Sequence, residues 1–330
     1  MSVATVAEPA AKPIAVGNDS DYAIEVVSLN KFYGGYHALK DLSFTVRRGE
    51  VLGFLGPNGA GKTTTMRILT GYMPPTSGEA YVAGYDVFDE SLDVREHIGY
   101  LPESVPLYTD MSVYDYLDFA AHLHHVSDVD EAVERAMELV NIEDRADTII
   151  GKLSKGYRQR VGIAQAIVHN PEVLILDEPT IGLDPKQIIE VRELIKNLGK
   201  EHTILLSTHI LPEVSQTCSR VIIIKSGQIV AEDTPQRLGA RLRGAEQIYL
   251  KVAKAAPEIP AQLEKIQGVL AVHADENSGY EIETTLNTDR RADIAQMAVQ
   301  RGWGVLELRP LSLSLEDVFL QLTTTEEETA

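Results

Sequence analysis

Nine consecutive residues, Gly56-Pro57-Asn58-Gly59-Ala60-Gly61-Lys62-Thr63-Thr64, carry the strongest chemical signal in the chain. They fit the pattern Gly-x4-Gly-Lys-Ser/Thr, the spacing that lets a backbone wrap a phosphate. Three glycines let successive amides point inward, and a following helix adds positive potential at its N-terminus. Lys62 is placed to reach β- and γ-phosphates, and the Thr63 hydroxyl to ligate Mg²⁺. The context is the one the spacing requires. An apolar strand, Val51–Leu55, runs into the loop, and a helical segment, Thr64–Thr70, leaves it.

A second group lies farther along. Val173–Leu176 reads as a buried strand and ends in Asp177-Glu178. An acid delivered at the C-terminal edge of such a strand sits where α/β sheets bind ligands. Asp177 is placed to hold Mg²⁺ through water, and Glu178 to polarise an attacking water as general base. The strand Thr203–Ser207 leads to Thr208-His209, which places His209 to contact the γ-phosphate and the water. A lone strand-end histidine is more often structural, so His209 takes its reading from its company. No Asn-Lys-x-Asp segment follows the loop; Asn30-Lys31 lies upstream and lacks the aspartate, so guanine specificity is unsupported. Tyr33, within Phe32-Tyr33-Gly34-Gly35-Tyr36, offers an aromatic face that stacks on any purine and is the candidate for holding adenine.

Leu153-Ser154-Lys155-Gly156-Tyr157-Arg158-Gln159-Arg160 opens a helical run that reaches about Val168. Ser154 is a good N-cap, and the amides behind it form a second anion site. Lys155, Arg158 and Arg160 stand in the first turns, where the macrodipole disfavours each cation by about 0.3–1 kcal/mol unless an anion is bound. A capped helix with solvated basic residues is the plainer reading. The phosphate loop already holds a whole nucleotide, so the second site makes most sense if it closes on a nucleotide carried by another subunit.

These residues need an α/β scaffold. From Tyr22 to about Pro235 short apolar runs alternate with longer helical patterns, as in a largely parallel sheet. Strands are expected at Ile24–Val27, Val51–Leu55, Val173–Leu176, Thr203–Ser207 and Val221–Ile224. Between about 89 and 168 helical periodicity dominates, as in Val113–His125 and Asp130–Val140, and predicts a helical subdomain. After Leu238 the pattern restarts: strand Gln247–Val252, helix Pro260–Gln267, strands Leu270–Ala274 and Gly279–Thr284, helix Arg290–Arg301 and strand Val305–Leu308. That predicts a small α+β module without a catalytic constellation. His273 falls in its apolar pattern and is expected to pack inside it. The organisation expected is a mobile tail at 1–21, an α/β domain at 22–238, an accessory module at 239–322 that ends in an amphipathic segment, Leu315–Leu322, and an acidic tail at 323–330.

The order of motifs resembles the ATP-binding subunit of ABC transporters. It runs Tyr33, the loop 56–64, Ile98-Gly99-Tyr100-Leu101-Pro102-Glu103, the signature 153–157, the acidic strand 173–178, Gly182-Leu183-Asp184-Pro185 and His209. Ser154 precedes Asp177 by 23 positions and His209 follows Glu178 by 31, as in that family. The C-terminal stretch that closes on Leu315-Glu316-Asp317-Val318-Phe319-Leu320 resembles the extension of the type-two export branch, and the wording around the signature resembles its gliding-motility-like members. The resemblance implies a phosphate-loop, RecA-like core with a helical subdomain. It also implies a head-to-tail dimer with two ATP molecules between phosphate loop and opposite signature, powering a membrane permease. Carried over, Lys62, Thr63 and Asp177 hold phosphate and metal, and Glu178 is the base. His209 contacts the γ-phosphate, Ser154 and Gly156 bind the partner's ATP, and Asp184 connects the two sites. Two departures stand out. Glu103 replaces the usual glutamine and loses an amide donor. Lys155 puts a side chain where the signature usually has bare backbone, and adds a cation expected near the partner's γ-phosphate.

Composition narrows the partners. In 330 residues, Asp plus Glu (49) exceed Lys plus Arg (30), a net charge of −19 that disfavours nucleic acid and anionic lipid surfaces alike. No run approaches the ~18 apolar residues that a membrane span needs, and the N-terminus does not read as a signal peptide. One cysteine, Cys218, rules out a disulfide within the chain and reads as a small core residue. The expected place is the cytoplasmic face of the membrane, through an integral membrane permease. A soluble ATPase of the same family acting on a non-membrane assembly is the alternative; known members of that kind carry two ATPase domains, a coiled coil or zinc-binding cysteines, which this chain lacks.

Overall fold

The structure, a computed structural model, describes residues 21–235, 237–238, 246–275, 279–285 and 289–311. Residues 1–20 of the expected tail, the segment Leu315–Leu322 and the acidic end 323–330 lie outside the described residues. Two compact units are built from interleaved stretches of chain. The first takes the described parts of 1–51, 61–207 and 226–228, and the second those of 52–60, 208–225 and 229–330.

In the first unit, β1 (Tyr22–Tyr33), β2 (Tyr36–Arg47), β4 (Ser77–Val82) and β5 (Tyr85–Asp86) form an antiparallel sheet in the order β2-β1-β4-β5. Only the centre of β1 is legible as a strand in the sequence, because register shifts interrupt its alternation. Three parallel strands, β6 (Ile98–Leu101), β7 (Val173–Asp177) and β8 (Thr203–Thr208), pair side by side in the order β8-β7-β6. Parallel strands covered on both faces need continuous apolar runs, and every residue of β7 and β8 is buried. Their polar ends fall side by side, with Asp177 in register with Ser207.

Helices connect these strands. α1 (Lys62–Leu69) follows the phosphate loop, and α2 (Ser91–His97) leads into β6. α3 (Val113–Leu123), α4 (Val129–Val140) and α5 (Lys155–Ile167) fill the stretch between β6 and β7. Their starts are set locally: Ser112, Asp128 and Ser154 each accept a hydrogen bond from a backbone amide three residues on. Apolar stripes on the three helices do the rest; Leu117, Val133 and Val161 are fully buried. α6 (Pro185–Leu198) joins β7 to β8 and begins with a complete capping box, Asp184 with Gln187.

In the second unit, β3 (Val51–Leu55) pairs in parallel with β9 (Arg220–Lys225), which β10 (Gln228–Asp233) flanks, and α7 (Leu211–Thr217) precedes β9. Cys218 is buried after α7. A separate antiparallel sheet has the order β12-β13-β11-β14, from β11 (Glu246–Val252), β12 (Val269–Ala274), β13 (Gly279–Thr284) and β14 (Val305–Leu311). Ile248, Leu250, Tyr280 and Ile282 on one face pack with Ile259 and Leu263 of helix Ile259–Leu263, Ile294 and Ala298 of helix Arg291–Gln300, and Trp303. The opposite face is polar: the Tyr249 hydroxyl donates to Asp275 at 3.0 Å, and the Arg309 guanidinium lies 4.9 Å from the Tyr249 ring. His273 is not a packing residue. It is exposed and lies across from Glu281 on that polar face, because Val272 takes the inward position opposite Ile282.

Candidate active site

The phosphate loop is divided between the two units. Its first half, Gly56–Ala60, belongs to the second unit, where a Cβ at Gly56 would come 2.5 Å from the Ile224 carbonyl oxygen. Pro57, Asn58 and Gly59 turn the chain, and Ala60 N donates to the Pro57 carbonyl at 3.2 Å. Gly61 stands at φ 111, a conformation costly for a side chain, and its carbonyl accepts from the Thr65 amide at 2.9 Å to start α1. Thr64 lies in the first turn of that helix.

Lys62, the first residue of α1, is buried, and its Nζ lies 3.3 Å from Oε1 of Glu178, which is buried as well. Glu178 has φ 51, left-handed backbone in a residue with a Cβ, and its amide donates to the Ser207 carbonyl at 2.9 Å. Such strain persists only where surroundings over-determine it, and it clusters at functional sites. Strand pairing and the ion pair together hold the Glu178 carboxylate against the lysine.

Thr63, Tyr100, Glu103, His169 and Asp177 line a cavity of about 920 Å³. Asp177 ends β7 with no solvent exposure, and neither carboxylate oxygen has a hydrogen-bond partner among the described residues. Burial is the main cause that raises its pKa; the nearby Ser207 and Thr63 hydroxyls ease the shift, and charges on Glu178 and Glu103 add to it. A buried carboxylate with both oxygens unsatisfied, next to a threonine hydroxyl, suits a hard divalent cation. The residues present therefore fit Mg²⁺. Glu103 is exposed at the cavity's edge. Tyr100, which the sequence reading did not single out as a contact, has its phenol pushed up to about 12 by burial first and then by the Asp177 charge. It remains a hydrogen-bond donor throughout the neutral range.

Tyr33 closes β1 half-exposed; its hydroxyl donates to Met73 Sδ at 3.1 Å, and Lys31 Nζ lies 5.5 Å from its ring centroid. Gly156 and Asp184 line a different cavity of the same unit, about 710 Å³, which shares no residue with the first. Ser154 caps α5 beside it, accepting from the Tyr157 amide at 3.4 Å. Gln187, also overlooked, packs against Gly156, and its place three residues after Asp184 is the capping-box spacing that could have found it. His209 directly follows β8 and belongs to the second unit, next to Thr208, whose Oγ1 donates to the buried Glu213 at 2.9 Å. Lys155 does not project alone from α5; its side chain lies across Gly182 of its own chain.

A glycine loop opening a helix, with a strand-end aspartate in the cavity beside it, is the construction of phosphate-loop ATPases, and the second capped helix narrows the class. The family model "ABC transporter" matches residues 39–181. The bacitracin transport ATP-binding protein BcrA of Bacillus licheniformis is 35% identical over 301 residues, covering 91% of this chain and 96% of that protein. The daunorubicin resistance ATP-binding protein DrrA3 of Streptomyces coeruleorubidus is 35% identical over 315 residues, covering 93% of this chain and 95% of the relative. Among solved structures, cbiO1 of Clostridium perfringens, part of the ABC transporter complex cbiONQ, superposes with a TM-score of 0.62 at 33% identity, over 66% of this chain and 91% of that one. This chain belongs to the ABC transporter ATP-binding proteins, and it is an ATPase homologous to export ATP-binding subunits. Among the described residues no helix is long and apolar enough to cross a membrane.

Proposed function

We propose that two copies of this chain close head to tail over two ATP molecules, and that closure and hydrolysis drive a separate integral membrane permease from its cytoplasmic face. The observation that carries this reading is the pair of cavities in one unit with no residue in common, one at Thr63 and Asp177, the other at Gly156 and Asp184. No lining residue is common to the two, so the second is open to the phosphates of a nucleotide held by another copy. Tyr33 stacks on adenine. Gly56 to Thr64 cradle the phosphates, with Lys62 on the β- and γ-oxygens. Thr63 and Asp177 would hold Mg²⁺, which neutralises phosphate charge when bound. Glu178 takes the proton of the attacking water as its oxygen bonds to the γ-phosphorus and the bond to the β-γ bridging oxygen breaks. His209 contacts the γ-phosphate, Glu103 stands at the water side, and Asp184 links the two sites.

Export is the proposed direction, within the type-two branch and near its gliding-motility-like members. It draws on the transport and resistance names of the relatives and on the motif wording at 153–160. The sequential organisation, with an ATPase domain at 22–238, a helical subdomain at about 89–168 and an accessory module at 239–322 that steadies the dimer, is part of the same proposal. Light scattering on the Glu178→Gln chain with ATP and Mg²⁺ tests it. A mass doubling that EDTA abolishes, with co-purification of a polytopic membrane protein, is expected. A monomer under all conditions, or co-sedimentation with ribosomes in place of membranes, would refute it.

A further inference from the structure

Two contacts within the first unit join the start of α5 to the loop that begins at Glu178. Lys155 lies across Gly182: a Cβ there would collide with its Nζ and stand 3.4 Å from its Cε and 3.8 Å from its Cδ. Gly182 has φ 68, so the bare Cα both permits the turn and leaves room for the lysine stem. Gly156, the residue after Lys155, is pressed against Gln187, whose side-chain amide would lie 2.5–2.9 Å from a Cβ at that position. That amide is held in place. Gln187 N donates to Asp184 Oδ1 at 3.0 Å, and Asp184 N donates to Gln187 Oε1 at 3.4 Å.

The loop between is short and tied at both ends. Ile181 N donates to the Glu178 carbonyl at 3.1 Å, Leu183 N to that of Thr180 at 3.1 Å, and Glu178 N to that of Ser207 at 2.9 Å. Any shift at the start of α5 is therefore passed to a loop whose first residue is Glu178.

We propose that Lys155 is a positioning residue, laid over Gly182 to hold the Glu178 loop in its resting setting until a phosphate at the start of α5 draws the ammonium away. The inference rests on the head-to-tail reading, since that phosphate belongs to a nucleotide on a second copy. Lys155 is exposed and has no carboxylate partner among the described residues. Leaving Gly182 costs only the dispersion contacts of its stem, and a charge-assisted bond to a phosphate oxygen outweighs them. Occupancy of one nucleotide site is then reported to Glu178 of the chain that holds the other nucleotide. Hydrolysis becomes cooperative in ATP through a residue that touches neither the attacking water nor Lys62.

The test is steady-state hydrolysis by the full chain as a function of ATP concentration. The unaltered protein should show a Hill coefficient approaching ~2, the limit for two sites. Lys155→Ala and Lys155→Gln should bring it to about 1. Gly182→Ala, whose Cβ evicts the lysine, should lower it as well, and Lys155→Ala added to Gly182→Ala should do no further harm. A coefficient of 1 in the unaltered protein, cooperativity intact in Lys155→Ala, or additive effects in the double variant each overturn the proposal. ATP-driven dimerisation of Glu178→Gln separates the two readings. A dimer with no effect of Lys155 removes this inference alone, and no dimer removes both.

Discussion

Lys62 Nζ and Glu178 Oε1 form a buried ion pair 3.3 Å long, so the lysine proposed to bind phosphate holds the carboxylate proposed to activate water. A phosphate bound by Lys62 competes with the Glu178 carboxylate for the same ammonium charge. The left-handed backbone of Glu178, φ 51, marks it as the partner under strain.

Glu178→Gln keeps the shape of the side chain and removes its charge. Lys62 loses this anion, and phosphate no longer competes with a carboxylate for it. Nucleotide affinity should rise on the order of ten-fold, because breaking a buried pair leaves a charge that seeks a replacement. Hydrolysis should fall by about 10²–10⁴, the usual worth of a general base. Titration with a fluorescent ATP analogue and a phosphate-release assay read the two effects separately. Equal or weaker nucleotide binding would show that the ion pair does not compete with phosphate.

Asp177 gives a pH prediction with a definite sign. Burial raises its pKa above the ordinary 3.8, so the folded chain without nucleotide disfavours the carboxylate. A raised carboxylate contributes stability below its unfolded pKa that is lost as pH rises through the folded value. Asp177→Asn removes that loss. In the absence of nucleotide it should melt at or above the temperature of the unaltered protein at neutral pH. The same variant should gain nothing from Mg²⁺ that it does not gain from ATP alone. Thermal unfolding with and without ATP, Mg²⁺ and EDTA measures both.

The loop and cap motifs were more legible than the pairing of the strands. The phosphate loop, Asp177-Glu178 and Ser154 are local patterns of spacing, and α5 starts at a cap visible in the sequence. What stayed hidden depends on long-range pairing. β6 is four residues, Ile98–Leu101, too short for periodicity to separate from the helices around it, and only its pairing with β7 makes it a strand. β2 and β4 alternate irregularly because β1 between them carries register shifts. His273 followed its apolar neighbours in the sequence and left them in the fold, since one residue of register decides the face. No local signal shows Lys155 reaching Gly182, 27 positions away along the chain.

Tyr33 carries the base in this account, and its exposed ring stands clear of the core. Base stacking on an aromatic ring is worth about 1–3 kcal/mol, so Tyr33→Ala should raise the ATP KM by roughly five-fold to a hundred-fold with kcat little changed. Tyr33→Trp should restore it. Stacking does not read the base edge, so GTP should compete with ATP more weakly by less than about ten-fold. A KM untouched by Tyr33→Ala would move the adenine elsewhere.

His169 supplies the last prediction, and it runs opposite to Asp177. Its Nε2 donates to the Ile98 carbonyl at 3.0 Å, its Nδ1 is buried with no hydrogen-bond partner among the described residues, and its ring stacks on His124 with centroids 3.6 Å apart. Burial, then the neighbouring His124, lowers its pKa from 6.5 to about 4. The folded chain therefore keeps this ring neutral. A depressed pKa contributes stability that is present above the unfolded value and lost as pH falls, here between about 6.5 and 4, amounting to roughly 3 kcal/mol over the whole interval. His169→Gln keeps a donor for Ile98 and cannot titrate, so its melting temperature should fall less between pH 7 and pH 4.5 than that of the unaltered protein. Burial raises the Asp177 pKa, so its pH dependence carries the reverse sign, and the comparison is best made in an Asp177→Asn background. Parallel melting curves for the two proteins in that background would show that protonation of His169 is not what acid attacks first.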